Sequence, residues 1–402
     1  MSTTADQTVP DGAVRGRRRR FRSLRGWLIL LLCLALLAAG SLAAFGLYYS
    51  NQLLQVSHRP AGYGLKVTAA THTAATRTRG AASTVTLPRN RDTERPGVYG
   101  LSWRGGWAVV TGVIATTAST VTRRLQGSPP PPGTVTRLET AVWLSDPQHA
   151  RGLRYTDVRF ASPLGAMPAW YVPGTAYTWV VAVHGRGSNR LDQLRILPTL
   201  HRLGLPVLAI SYRNDVGAPA ERDQLYHLGD REWRDVEAAV AYALLHGARQ
   251  VVLYGWSMGG ALVTAFVQRS PLASRVPAVV LDAPVLDWRA TLALQGAKRG
   301  LPLPLTWTAE EVVHERIGIR WGDFDLDDTP SRLRVPTLLF HGEQDTTVPI
   351  QPARHLAAES AGVTFVAVPR AGHTQGWNVD PTRYERRVTS FLRPYVRRPY
   401  VR

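Results

Sequence analysis

The chain has 402 residues, 45% of them hydrophobic and 12 of them tryptophan, which is enough for a sizeable core and excludes a disordered chain. Its net charge of +19 is carried almost wholly by arginines spread through every segment, and no nucleic-acid-binding module is visible, which argues against a nucleic-acid partner. A single cysteine, Cys33, excludes an intrachain disulfide and a cysteine metal site, and no H-E-x-x-H, G-x-x-x-x-G-K-[ST] or strand-borne G-x-G-x-x-G motif occurs.

Residues 1–26 read as a basic cytoplasmic tail, with Arg15, Arg17 to Arg20, Arg22 and Arg25 ahead of an uncharged stretch. That stretch, 27–49, exceeds the roughly 20 residues needed to cross a bilayer and predicts a single transmembrane helix. The next basic residues are His58 and Arg59, so the arginine asymmetry predicts a cytoplasmic N-terminus and everything beyond Tyr49 outside. A cleaved signal peptide is the alternative, since Ala38, Ala39, Gly40, Ala43 and Ala44 offer a processing site and would yield a secreted protein. The length of the apolar run favours a retained anchor, because signal h-regions usually span about 7 to 15 residues.

Residues 50–150 predict a linker and a small β-rich region that holds the rest of the chain off the membrane. Ser83 to Leu87, Val121 to Leu125 and Val135 to Leu144 have strand character, and Val98–Trp103 with Trp107–Ile114 flank Arg104-Gly105-Gly106, a hairpin signal. The run Pro129–Pro132 is a stiff surface spacer. These strands either form their own unit or extend the sheet that follows.

From 151 to 396 strands and helices alternate, which implies a parallel sheet between helical layers. Strands near 155–160 and 167–172 precede Trp179–Val183, which runs into His184-Gly185-Arg186-Gly187. A helix over Leu191–Leu203, a strand at Val207–Tyr212 and a helix from Asp230 to His246 follow. Val251–Tyr254 then leads into Gly255-Trp256-Ser257-Met258-Gly259-Gly260 and a helical pattern from Ala261. Strand, glycine-flanked serine and helix is the context of a nucleophile elbow, a turn so tight that side chains at 255 and 259 would strike neighbouring backbone. Residues 289–333 break the alternation and predict a cap insert with an apolar side. Val335–Gly342 reads as a buried strand leading to Asp345, and Val363–Val368 as another leading to His373. Residues 397–402 are a second basic tail.

Serine, acid and histidine, each just past the carboxyl end of a strand and in that order, are what an α/β-hydrolase fold requires. The blocks HGRG, GWSMGG, HGEQDTTVP and AGH, over roughly 154–396, resemble the monoglyceride-lipase, serine-aminopeptidase and Bem46-like branches of the α/β-hydrolases. The resemblance implies Ser257 as nucleophile, Asp345 as acid and His373 as base, with the backbone N–H groups of Arg186 and Met258 as oxyanion donors. HGRG departs from the HGGG of many lipases by a bulky cation, which a backbone donor tolerates. Asp282 and Asp287 are the competing acids. Arg213 and Trp377 are candidate substrate-binding residues, with Gln375 also close to His373. The implied activity is hydrolysis of small-molecule or lipid carboxylic esters without metal or cofactor, with peptide or amide cleavage and acyl transfer as alternatives from the same groups.

Overall fold

An arginine-rich start followed by a Leu- and Ala-rich run, with no proline in either, carries one helix, α1 (Ala13–Leu54), in the computed structural model of the chain, which describes residues 13–58, 62–73 and 82–398. Its segment Gly26–Leu54 is long and apolar enough to cross a membrane. The helix does not stop at Tyr49, where the expected span ends. Side chains from Gly26 to Ala44 are exposed, but Gly46 and Ser50 are buried and Leu54 is wholly enclosed. The last turns therefore belong to the protein body, and Tyr226 donates its backbone N–H to Leu54 O at 2.9 Å. Of the two basic tails, residues 1–12 and 399–402 lie outside the described residues.

Seven short strands follow: β1 (Leu65–Lys66), β2 (Ala69–Thr73), β3 (Ala82–Pro88), β4 (Tyr99–Trp103), β5 (Gly106–Thr116), β6 (Thr120–Gln126) and β7 (Val135–Glu139). They pair antiparallel in the order β1-β7-β4-β5-β6-β3-β2 and form a sheet of their own rather than extending the next one. The hairpin between β4 and β5 turns at Gly105, whose φ of 88° suits glycine. Val67, Val85, Leu87, Leu101 and Val110 fill its core. The strand read to Leu144 ends at Glu139, because Thr140 O is taken by a side chain of the next body (below). Arg123 is buried and spends its guanidinium on four carbonyls, Thr93, Arg95, Gly97 and Thr111, which fixes the loop between β3 and β4.

The remaining chain alternates as its periodicity predicts. In order come α2 (Pro147–Arg151), β8 (Thr156–Ser162), β9 (Gly165–Val172), β10 (Thr178–Val183), α3 (Leu197–Arg202), β11 (Val207–Ile210), α4 (Trp233–Leu245), β12 (Gln250–Trp256), α5 (Met258–Arg269) and β13 (Val279–Asp282). Then come α6 (Trp288–Lys298), α7 (Leu303–Ile317), β14 (Thr337–Gly342), α8 (Gln351–Glu359), β15 (Val363–Val368), α9 (Gly376–Val379) and α10 (Pro381–Leu392). The sheet order is β15-β14-β13-β12-β10-β11-β9-β8, parallel from β11 to β15 with β9 and β8 antiparallel at one edge. The central strands are continuous apolar runs because helices cover both faces, with one core on each side.

Two helix boundaries differ from the sequence reading. The stretch 191–203 splits into a 3-10 turn, Arg190–Arg195, and α3, whose first turn holds Pro198. Asp230 does not cap α4; it binds Arg269 at 2.7 Å, while the Glu232 carboxylate takes the N–H groups of His227 and Gly229 and makes the turn there.

The β-sheet body is more than a spacer, since it abuts α9. Asn378 Nδ2 donates to Val98 O at 2.7 Å and Thr140 O at 2.9 Å, Arg195 Nη1 donates to Asn378 Oδ1 at 2.9 Å, and Val98 N donates to Asn378 O at 2.8 Å. Asn378 is fully buried, so Asn378→Ala leaves two carbonyls and a guanidinium short of partners. That substitution should destabilise the protein by about 2 kcal/mol or more. Thermal unfolding reads it as a clearly lowered midpoint, and an unchanged midpoint would show that the junction contributes nothing to the fold.

Candidate active site

The site is built from the carboxyl ends of β10, β12, β14 and β15. Ser257 separates β12 from α5 with φ 52° and ψ −121°, a left-handed conformation that a non-glycine residue adopts only under constraint. The glycines allow the turn: a Cβ on Gly255 would stand 2.7 Å from Gly259 O, and one on Gly259 would strike the carbonyls of Val183 and His184. Backbone bonds hold it, Ser257 N to Asp282 O at 3.0 Å and Val285 N to Ser257 O at 3.1 Å.

The structure brings Ser257, His373 and Asp345 together. His373 Nε2 lies 2.8 Å from Ser257 Oγ and His373 Nδ1 lies 2.8 Å from Asp345 Oδ2. With the proton on Nδ1 donated to the carboxylate, Nε2 is left to accept from the serine hydroxyl. The other Asp345 oxygen accepts the backbone N–H groups of Thr347 at 2.7 Å and Val348 at 3.0 Å, and His341 Nε2 stands 3.3 Å from Oδ2. Burial opposes ionisation of Asp345, but hydrogen bonds from His341 and His373 outweigh it and hold the carboxyl well below the usual range.

The competing acids are placed elsewhere. Asp287 caps α6 through Ala290 N at 3.1 Å. Asp282 is fully buried beneath the site, receives the Tyr384 hydroxyl at 2.9 Å, and its Oδ1 has no hydrogen-bond partner among the described residues. Burial pushes its pKa up to about 6 against the attraction of Arg195. His184 is a buried loop residue, its Nε2 2.8 Å from Asp215 Oδ2 and its ring stacked on Tyr212.

Gly185 packs against Ser257, with a Cβ there falling 3.0 Å from Ser257 Cβ, so the HGRG loop is next to the serine. Met258 opens α5, where a helix has no carbonyl one turn back for its N–H. Both Arg186 and Met258 line one cavity with Ser257. The Arg186 side chain turns to the end of α1, donating to Leu53 O at 3.2 Å with its guanidinium over the Tyr226 ring. A cation at a helix C-terminus is favourable on both counts, hydrogen bond and dipole.

Two candidates are corrected. Arg213 does not reach the cavity: it is buried in a bidentate pair with Asp235, at 2.8 and 3.0 Å, and also meets Glu221 at 3.1 Å. Trp377 is also enclosed, its Nε1 donating to Glu385 at 3.0 Å and its ring edge-on to Trp143. Neither lines the cavity. Gln375 instead braces the histidine loop, accepting from Gly372 N at 3.1 Å and from Arg95 Nη1 at 2.8 Å.

The cavity is mostly apolar, walled by Val285 and Trp288 just ahead of the cap insert and by Leu292, Leu301 and Val313 within it. Three of its residues, Tyr49, Gln52 and Leu53, come from α1, a contribution the sequence reading missed because Tyr49 was read as the end of the anchor and Gln52 and Leu53 as linker. The one cue was the absence of any breaker between Tyr49 and Leu54. Glu311, His314 and Glu315 are the single group among the described residues with closely spaced metal-ligand atoms, but they lie outside the cavity on an exposed helix face.

Comparison with known proteins agrees with the fold. Residues 178–307 match the family described as alpha/beta hydrolase fold, and residues 66–143 match a domain of unknown function, DUF8805. Protein ABHD12B of Homo sapiens is 27% identical over 187 residues, 44% of this chain and 48% of that protein, so the match spans about half the length of this curated relative. Two crystal forms of an esterase from Pyrococcus furiosus superpose with TM-scores of 0.52 and 0.50 at 20% and 19% identity, each covering 63% of this chain and 95% and 96% of the esterase. The chain has the α/β-hydrolase fold, with an apolar N-terminal helix and a β-rich region ahead of it.

Asp282 sets a pH dependence of stability. Its folded pKa of about 6 lies above the ordinary 3.8, so between those values the folded protein holds a proton that the unfolded chain releases. Its contribution to stability therefore falls as pH rises through that window and stays lost above it. Asp282→Asn removes the loss, so the stability of the variant relative to the parent should climb from about pH 4 to about pH 6 by on the order of 2–3 kcal/mol. Denaturant unfolding at a series of pH values measures it, and a constant difference would refute the assignment.

Proposed function

We propose that the protein is a membrane-anchored serine hydrolase that cleaves carboxylic esters through an acyl-enzyme on Ser257. The observation that carries this reading is the unbroken chain of hydrogen bonds from Ser257 Oγ through His373 to Asp345, each group on a loop past its own strand. A serine hydroxyl is a weak nucleophile at its own pKa, so His373 takes its proton as Oγ attacks the ester carbonyl. Asp345 fixes the tautomer of the ring and favours the imidazolium that forms, and it remains ionised throughout. The backbone N–H groups of Met258 and Arg186 receive the oxyanion, a stabilisation worth about 10²–10³ in rate per donor. His373 returns the proton to the departing alcohol, and water then resolves the acyl-enzyme by the same route. The apolar cap wall supports an acyl group rather than a charged peptide as the part held in the cavity.

Labelling with a fluorophosphonate, in competition with esters of graded chain length and with aminoacyl amides, tests the chemistry and the ester preference together. Ser257→Ala should keep the fold, lose labelling and lose turnover by about 10⁴-fold or more. Asp345→Asn should lower turnover by roughly three to four orders of magnitude, because the ring is left in the wrong tautomer. Asp282→Asn should be mild. The reverse order of the two carboxylates would show that the acid is Asp282.

The anchor reading places the tail before Trp27 in the cytoplasm and the hydrolase outside, on the asymmetry of arginines around α1. Protease added to wall-stripped intact cells should then digest the chain beyond residue 58 and spare the tail. Digestion of Ser257-containing fragments only after lysis would reverse the orientation, and release of a soluble form beginning near residues 40–45 would mark a cleaved signal.

A further inference from the structure

The end of α1 and the cap helix α7 lie side by side. A Cβ on Gly46 would meet Val312, and Arg316 Nη1 donates to Ser50 Oγ at 2.5 Å and Asn51 Oδ1 at 2.8 Å. The two contacts share one offset along the chain, so the helices run parallel, and a level on α1 translates into a level on α7. Trp307 stands about level with Ser41, and Leu303 about level with Leu37, both within the exposed apolar part of α1. Glu311 and Glu315 stand about level with Phe45 and Tyr49, where α1 passes into the protein body.

The exposed side of α7 changes character at the same level. Leu303 is 54% exposed and Trp307 60%, with Pro302 and Pro304 also open, whereas further along the exposed positions are Glu311 and Glu315. On α1 an unbroken run of exposed side chains extends from Trp27 to Ala44, 18 residues or about 27 Å of helix, close to the roughly 30 Å of a bilayer core. A bilayer centred on that run has its outer boundary near Phe45, the level at which α7 switches from Trp and Leu to Glu. Lys298 and Arg299, just ahead of this apolar turn, point back to the body: Lys298 Nζ donates to Thr346 O at 2.8 Å and Arg299 lines the cavity. Cationic heads folded back from an apolar tip are what an interfacial loop needs to keep charge at the level of the head groups.

We infer that the first two turns of α7 are seated in the outer leaflet beside α1, so that the cavity leading to Ser257 opens toward lipid and takes a membrane-resident, long-chain acyl ester. This rests on the reading of α1 as a membrane span and of Ser257 as the nucleophile. The cavity has the corresponding lining, since besides Ser257 and Met258 it includes Leu301 of the α6–α7 turn and Thr306 of α7, which lie level with the exposed run of α1. A substrate held by its chain in the leaflet reaches the serine between two helices that are already in the membrane, and never has to cross water.

The test uses the full chain in vesicles of phosphatidylethanolamine with phosphatidylglycerol. A nitroxide attached at position 307, through Trp307→Cys in a Cys33→Ser background, should relax faster with dissolved oxygen than with a water-soluble nickel complex. The opposite order would overturn the proposal, as would spin–spin broadening that shows a second copy covering this face. Independently, Leu303→Glu combined with Trp307→Glu should cut hydrolysis of a long-chain ester in the vesicles by about tenfold or more, because a carboxylate in the acyl region costs upward of 1.4 kcal/mol. Hydrolysis of a soluble acetate ester and fluorophosphonate labelling should stay within about twofold of the parent. Equal loss on both esters with labelling intact would overturn lateral access. Absent labelling in the parent would sink the hydrolase reading instead, and the nitroxide depth would still decide the seating of α7.

Discussion

The site depends on one backbone constraint, the left-handed conformation of Ser257 between β12 and α5. Such a residue costs about 1–3 kcal/mol and survives only where its surroundings leave no alternative. Here β10 and β13 flank β12 in register, Val183 opposite Gly255 and Asp282 opposite Trp256, and both neighbours bond or crowd the turn. The absence of side chains at Gly255, Gly259 and Gly260 lets α5 start directly on the ends of β10 and the loop after β13. Because the serine is aimed by the sheet, the groups that act with it can ride on loops, provided each loop is itself pinned.

The histidine loop is the one that needs pinning most, as Arg370 and Thr374 on either side of His373 both have positive φ. Its ties come from outside the loop: Arg195 Nη1 donates to Thr374 O at 2.7 Å, and Arg95 reaches it from the β-sheet body through Gln375. Arg95 in turn follows the segment that buried Arg123 holds by its carbonyls. Arg95 and Arg123 of the N-terminal body thus both bear on the position of an imidazole far away in sequence. A region of weak strand signals between an anchor and an enzyme invites the reading of a spacer. The contacts make it a brace.

The parts that could be read from sequence are those in which local chemistry forces one geometry. A glycine-flanked serine between an apolar strand and a helix has few other conformations, and HGEQD after a buried strand places a carboxylate in a turn whose own N–H groups it accepts. The parts that could not be read depend on which way a long side chain turns. Arg213 sits just past a strand on the face where the site opens, yet it points to Asp235 on α4, since a buried bidentate carboxylate satisfies a guanidinium better than an apolar cavity does. Trp377 follows His373 by four residues, but one helical turn at Gly376–Val379 rotates its indole onto Trp143. The hairpin and the central strands followed pattern, whereas α3 restarts with Pro198 in its first turn and α4 starts at Trp233, after the turn in which Glu232 accepts the N–H groups of His227 and Gly229.

The same limit hid the double role of α1. Composition marks it as uncharged from Trp27 to Leu54, and nothing local distinguishes the residues left exposed from those that face the protein body. The division comes from the partners: Leu54 is enclosed, Leu53 O receives Arg186, and Ser50 and Asn51 receive Arg316. Cleavage near residues 40–45 would therefore leave the cavity wall in place, since every one of these contacts lies beyond it. What cleavage would expose is the apolar tip of α7, Leu303 and Trp307 with the prolines between and before them, to water on a protein that has lost the helix beside it. A contiguous apolar surface of that kind is costly in a soluble monomer. On the proposed seating of α7, the cap gives a retained helix a partner at the level of the membrane, an argument for retention that is independent of the length of the apolar run.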